Sequence, residues 1–536
     1  MRATQNATKM LLAACVLSAM GAGSRADTFV WDGGAGPGYD YFSSTSFEQV
    51  GGQWIETNNW GDSVNWGDPV PKPGPDDDVV FNIDARTSGS NGDGVLGLTN
   101  HSRLEVVGQL RVNGGLIENT GEITVENSYL NLSGDTQLTG GGVIRGSQTY
   151  GTFLYSKDTV TLATGSQIRG FGGIDAEIVN QSTITAEGGE LIFSGDVLDN
   201  TGGRIVIAGD GELGMNASGF RTNPAVINGG VIHGETGSMI SGWNAGGQYQ
   251  DVTLTGEHQI NYQLALRGTI VNNGRFGTTP DGARVYLEGD VTLDGNGEMI
   301  LGNNGITTYF SDYDGDALTN GCDHTIRGTG GSWGATIVNR GVLSAGEAPG
   351  EIGAFEIENL VSKDSSALEV DLIGGAGGVQ FDSLTTNSFE KAGLLQVNVG
   401  DDTDLSPGDV FAIARADDSL TGQFDLAYAT PLLDGDRLML RTRDDGNAEY
   451  VELVVSDEVT GDFNGDGWVD AADFAAYDEA FNLGQATAGG DALIEARLGW
   501  RVLQEGVGSR LMTCVPEPST MLLLAAGAAV ARRRSR

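Results

Sequence analysis

The chain has 536 residues, 85 of them glycine and only 12 proline, and its formal net charge is -42, from 72 acidic against 30 basic residues. That balance disfavours nucleic acid or anionic lipid held through a basic face, and makes cations the natural partners. There is no every-third-glycine pattern, which excludes collagen and leaves many tight turns between short strands, in a chain long enough for several domains or one repeat array.

Residues 1–26 read as a secretory signal. Arg2 and Lys9 are its charged part, Met10 to Ala22 its apolar part and Ser24-Arg25-Ala26 a small-x-small cleavage site, so the mature chain would begin at Asp27. "LAAC" at Leu12 to Cys15 offers a lipoprotein box as the alternative, but its apolar lead is short. After cleavage Cys322 and Cys514 remain, and their spacing gives neither a metal nor a redox motif. Export would permit a bond between them, although sequence alone cannot pair them.

Residues 27–90 form a tryptophan-rich N-terminal cap, with Trp31, Trp54, Trp60 and Trp66 placed to close the end of a core. Residues 91–345 then repeat three templates. The first is "IENTGEI", "IVNQSTI", "IVNNGRF" and "IVNRGVL", starting at Ile117, Ile178, Ile270 and Ile337. The second is Ile-Arg-Gly-x-Gly-Gly, at Ile168 and Ile326. The third is "DTVTLATG", "DVTLTG" and "DVTLDG", starting at Asp158, Asp251 and Asp290.

Units this small bury their apolar faces only by stacking, so rungs of roughly 20 residues are expected. The fold expected is mainly β: a right-handed parallel β-helix or solenoid, with recurrent asparagines stacked into a ladder and a β-sandwich series as the alternative. Residues 346–456 would cap it. Segments such as "GVLSAGEAPGEIGAFEIENL" and "LSPGDVFAIARADDSLTGQF" resemble the closing region of autotransporter-type β-helix passengers, which implies a stalk or adhesin more than an enzyme.

No catalytic constellation stands out. His101, His233, His258 and His324 are far apart and read as turn or surface residues, and Arg169 and Arg327 as rung-surface residues. Aspartates of the kind a polysaccharide lyase or hydrolase would use are abundant, as at Asp76 to Asp78 and at Asp401, Asp402 and Asp404, but nothing selects a pair. "DYDGDALTNGCD", Asp312 to Asp323, has calcium-loop spacing but Ala317 where the turn needs glycine, so it reads as an acidic solenoid loop.

Residues 457–509 contain the most organised chemistry, "GDFNGDGWVDAADF". Asp462, Asn464 and Asp466 supply alternate side-chain oxygens and Gly467 the sharp turn, after which Trp468 offers its carbonyl, Asp470 acts directly or through water and Asp473 closes the site. The expected ion is Ca2+. An exit helix would put Phe474, Tyr477 and Phe481 on one face, and Gly490 to Gly506 reads as a second amphipathic helix.

Aspartate at the closing position resembles a type I dockerin repeat more than a calmodulin-like EF-hand. The resemblance implies a cohesin-like partner, but type I dockerins carry two loops and this segment carries one.

Residues 510–536 end in "VPEPSTMLLLAAGAAVARRRSR". Pro516, Glu517 and Pro518, then an apolar run at 521–531 and a terminal arginine cluster, resemble the PEP-CTERM sorting signal. The resemblance implies an exosortase-type machinery, transient inner-membrane contact through 521–531 and delivery to the cell envelope or extracellular matrix. As helix the run spans only about 16 Å of a roughly 30 Å core, which suits a segment removed on delivery.

Overall fold

The computed structural model describes residues 94–456 except 114, 217–224, 244–246, 279–282, 302–308, 312–314, 376–377, 425 and 431–436; strand backbone is also described at 28–31, 40–42, 46–50, 53–57, 78–81, 85–87, 501–502 and 504–505. The described residues are mainly β and contain no helix. Contacts divide the chain into two units, Met1–Ile184 and Thr185–Arg536.

In the first unit the strands stack in parallel at near-regular steps. Leu104 partners Ile123, 19 residues on, and Ile123 partners Ile144, 21 residues on. The N-terminal strands share this pattern, since Thr28–Trp31 pairs in parallel with Asp78–Phe81, which pairs with Gly97–Asn100. One antiparallel hairpin, Ser46–Val50 against Gln53–Thr57, departs from it; Gly51-Gly52 is the pair a two-residue hairpin turn favours.

The second unit begins in the same solenoid-like way. His258 partners Phe276, Phe276 partners Met299 and Met299 partners Ile326, in steps of 18, 23 and 27 residues. The variable step reflects loop length, since strand register is kept while turns grow. Toward its end the pairing turns antiparallel, with Val410–Gly422 and Arg437–Asp444 both flanking Glu449–Ser456. Such a sheet closes the stack by using pairing groups that a parallel rung would leave open.

Burial explains the first template. Ile117, Asn119 and Ile123 are all inside, as are Ile178, Asn180 and Ile184; Ile270, Asn272 and Phe276; and Ile337, Asn339 and Leu343. Period-2 alternation faces the branched residues inward, as in Leu394–Val399, where every second residue is buried. Each buried branched side chain is worth about 1.5–3 kcal/mol against exposure.

The glycines of the second template have a steric cause. Gly170 has φ +108° and Gly328 φ +124°, and a Cβ at either would meet a carbonyl oxygen of the preceding rung, Gly146 at 2.0 Å or Leu301 at 2.1 Å. A side chain there would fail on both backbone conformation and space.

One expectation is corrected at the carboxyl-terminal end. The second amphipathic helix, expected over 490–506, is broken by strand: Arg501–Val502 pairs antiparallel with Met439 and Leu440, and Gln504–Glu505 pairs in parallel with Tyr428 and Ala429. Gly499 weakens a helix just before this segment, and open sheet edges offer its backbone ladder bonds.

Candidate functional site

Two buried polar regions lie in the second unit. The first is the asparagine edge, which holds where the turn after the "IVN" template closes. Asn272 and Asn320 are fully buried. Asn272 Nδ2 donates to Glu298 O at 3.0 Å and to His324 Nε2 at 3.0 Å.

His324 Nδ1 donates to Asn320 Oδ1 at 2.7 Å, and Asn320 Nδ2 donates to Asn339 Oδ1 at 2.8 Å and to Val342 O at 3.0 Å. An amide nitrogen can only donate, so Nε2 of His324 accepts and its proton sits on Nδ1. Burial lowers the imidazole to about 4, and a second ring proton would face the Asn272 amide donor. The first unit has the same device, with Asn100 Nδ2 donating to Asn119 Oδ1 at 2.8 Å.

These bonds correct the reading of the histidines. His324 is fully buried and His258 is 1 % exposed, the latter bonded to Thr255 O at 3.0 Å and lowered to about 4, chiefly by burial. His101 is an exposed turn residue as expected, bonded to Thr120. Asp312 and Asp314 lie outside the described residues, but the described part of that segment, 315–323, belongs to the edge. Its Asn320 bonds within the ladder and Asp316 Oδ2 accepts Gly289 N at 2.7 Å, as an acidic solenoid loop would.

The second region is a carboxylate nest. Residues 346–353 arch back to the sheet and are held by two aspartates. Asp371 Oδ2 accepts Gly350 N at 2.8 Å, while its Oδ1 accepts Asn398 Nδ2 at 2.8 Å. Asp382 Oδ1 accepts Gly353 N at 2.7 Å and its Oδ2 accepts Asp371 N at 2.9 Å. Burial raises Asp382 to about 7; the two backbone N–H bonds oppose this, and the neighbouring Asp371 charge adds to it.

Arg327 lies beside them, 7 % exposed, which corrects its surface assignment. Its Nε is 3.4 Å from Glu298 Oε2 and its Nη2 4.0 Å from Glu369 Oε2, while Nε and Nη1 make no hydrogen bond. Burial raises Glu369, against the pull of Arg327. Chemically this is a fastener: every oxygen of Asp371 and Asp382 receives a donor, and the guanidinium offsets part of the remaining charge.

Sequence reasoning missed this cluster because its members are scattered from Glu298 to Asn398. Only the repeated arginine of the second template pointed to it. Asp401 and Asp402 are exposed at a turn, where the buried Thr403 bonds Gly374 N and Leu372 O.

Among the described residues, no group of three or more His, Cys, Asp or Glu side chains is arranged to hold a metal, and no helix is long and apolar enough to cross a membrane. The predicted calcium ligands Asp462, Asn464, Asp466, Trp468, Asp470 and Asp473 lie outside the described residues, as do Pro516, Glu517, Pro518 and the run 521–531.

No curated protein matches the chain. The dockerin, EF-hand and autotransporter resemblances therefore rest on their motifs alone. Residues 515–536 match the family described as PEP-CTERM protein-sorting motif, and that motif indicates an exported protein sorted to the cell surface or extracellular space by exosortase-type machinery.

Proposed function

We propose that the chain is a structural and adhesive protein of the bacterial cell surface or extracellular matrix, displayed as a right-handed β-helical body. The observation that carries this is the sorting motif at 515–536, behind a leader of secretory type. The right-handed coil follows from the handedness that parallel crossover connections nearly always take. Trp333, 70 % exposed, presents a flat indole of the kind on which a sugar ring stacks, which favours a polysaccharide partner.

The loop at 461–474 serves as a calcium site, because the oxygens of Asp462, Asn464, Asp466, Asp470 and Asp473 form the donor set of a hard cation. Bound calcium would supply folding energy to that segment only outside the low-calcium cytoplasm. A single loop makes a cohesin-like partner the lesser reading, and a polysaccharide lyase or hydrolase rests on fold analogy alone.

The test is surface display. Full-length chain and a variant with Pro516→Ala, Glu517→Ala and Pro518→Ala are expressed in a host with exosortase-type machinery, and envelope and extracellular fractions are compared. Display should require the motif; equal display of both proteins overturns the reading. Calcium titration of the exported chain should show one site that Asp462→Ala with Asp466→Ala removes. Cleavage of a polysaccharide by the exported chain would replace the structural role with an enzymatic one.

A further inference from the structure

The two copies of the second template differ in length by one residue, and the difference falls beside an exposed ring. From Ile168 to Asn180 is 12 residues and from Ile326 to Asn339 is 13. In the strand Gly331–Asn339, Ser332 partners Ile357 and Thr336 partners Asn359, so Trp333, Gly334 and Ala335 stand against Glu358 alone. Gly334 has φ +81°, as the glycine of a bulge does, and a bulge re-aims the side chains next to it. Trp333 is 70 % exposed, more than any other large apolar side chain among the described residues, and its indole has no ring or hydrogen-bond partner among them.

The same corner continues through the next three rungs. Glu358 opposes Asn387, because Ile357 partners Thr386 and Asn359 partners Ser388. Asn387 in turn opposes Asp417 and Asp418, which bulge between the pairs Thr386–Ala416 and Ser388–Ser419. At ~4.8 Å per rung this column runs about 14 Å from Trp333. Half-buried Glu358 accepts the Gly334 N–H at Oε2, while its Oε1 takes no donor among the described residues. Asn387 is exposed, as is Glu356, the partner of Gly331, and Asp417 pairs with Arg415 at 2.7 Å.

We propose that this corner holds a neutral polysaccharide chain laid along the stack, with one pyranose ring on the Trp333 indole and the following sugars against Glu358 and Asn387. The indole face takes the C–H side of the sugar ring. Glu358 Oε1 and the Glu356 carboxylate accept hydroxyl protons, and the Asn387 amide both donates and accepts. Charge selects the class of polymer. Glu356, Glu358, Asp417 and Asp418 outnumber Arg415 on a chain of net charge -42, so a uronic-acid polymer is repelled and one bearing only hydroxyls is not. The inference rests on the surface-display reading for access to polysaccharide.

It is tested by affinity electrophoresis of the purified full-length chain in gels containing laminarin, galactomannan or dextran. Polygalacturonate is the acidic control, and EDTA keeps cations from bridging carboxylates. The expected result is retardation by at least one neutral polymer and none by polygalacturonate. Trp333→Ala should weaken binding about tenfold or more, the loss typical of an aromatic anchor, with the circular dichroism spectrum unchanged. Trp333→Phe keeps a ring and should weaken it less, which decides the matter if the alanine variant unfolds. Glu356→Gln with Glu358→Gln keeps an acceptor for Gly334 N and should narrow the gap between neutral and acidic polymers.

Binding of no neutral polymer, equal binding by Trp333→Ala, preference for polygalacturonate, an unchanged gap in the double variant, or self-association that Trp333→Ala abolishes would each overturn it. Failure of the display reading appears instead as retention inside the cell of a chain that still binds in the gel, so the two failures are distinguishable.

Discussion

The asparagine edge and the carboxylate nest are both buried, both polar and both in the second unit, yet they satisfy burial in opposite ways. The edge is neutral: amide donors and acceptors alternate, and His324 takes part by giving its one ring proton from Nδ1 and accepting at Nε2. The nest is charged: Arg327 stands among Glu298, Glu369, Asp371 and Asp382, and backbone N–H groups complete the aspartates. The same desolvation lowers a histidine in one region and raises an aspartate in the other, because it penalises whichever form is charged.

The comparison breaks most sharply at Asn320. Asn320→Ala leaves the His324 Nδ1 proton, Asn339 Oδ1 and Val342 O without their partners. At ~1–3 kcal/mol per orphaned group the expected loss is about 3–9 kcal/mol. Hydrogen exchange of the strands Ala317–Asn320 and Gly331–Asn339 should report it as faster exchange than in the rest of the unit, and unchanged protection would show that the ladder is incidental.

Arg327→Met comes next. Removing the cation leaves buried carboxylates uncompensated, and breaking a buried pair in this way costs about 3–5 kcal/mol. The cost should shrink as pH falls and the raised Glu369 takes up a proton. Denaturant midpoints at neutral and at mildly acidic pH would show whether the deficit narrows.

Acid titration separates the two regions directly. His258 and His324 fall from 6.5 to about 4 on folding, so the unfolded chain binds more protons between those values. Stability is full above pH 6.5 and declines as pH drops toward 4, by on the order of 3 kcal/mol for each.

Asp382 rises from 3.8 to about 7, so its contribution runs the other way: it is fully present below pH 3.8 and is lost as pH rises through 7. His324→Asn should remove about half of the acid loss, His258 keeping the rest, and leave the Asp382 limb unchanged. The smallest effect expected is that of Asp382→Asn, about 1 kcal/mol at neutral pH, where loss of the charge near Asp371 offsets a weakened backbone bond. Its diagnostic is disappearance of the limb near pH 7.

Much of the edge was legible in the sequence. The "IVN" recurrences place Asn180, Asn272 and Asn339 at one repeated corner, and stacking identical corners gives a ladder by repetition alone. His324 was not legible, because nothing local distinguishes a turn histidine from one that replaces an amide in the ladder. The nest was less visible still. Glu369 is outward by alternation, and only the segment 346–353 and its two aspartate fasteners make a closed environment of that face.

By itself the sequence determined the strand periodicity, the stacking templates, the glycines that must approach a neighbouring rung and the sorting motif at 515–536, because each is written in residues close together along the chain. Tertiary structure alone decided which polar residues lost water, that 501–502 and 504–505 became strand where a helix was expected, and that Gln504 came into the column of Arg327. Those outcomes depend on desolvation and on ladder bonds between segments far apart in sequence, which no local pattern records.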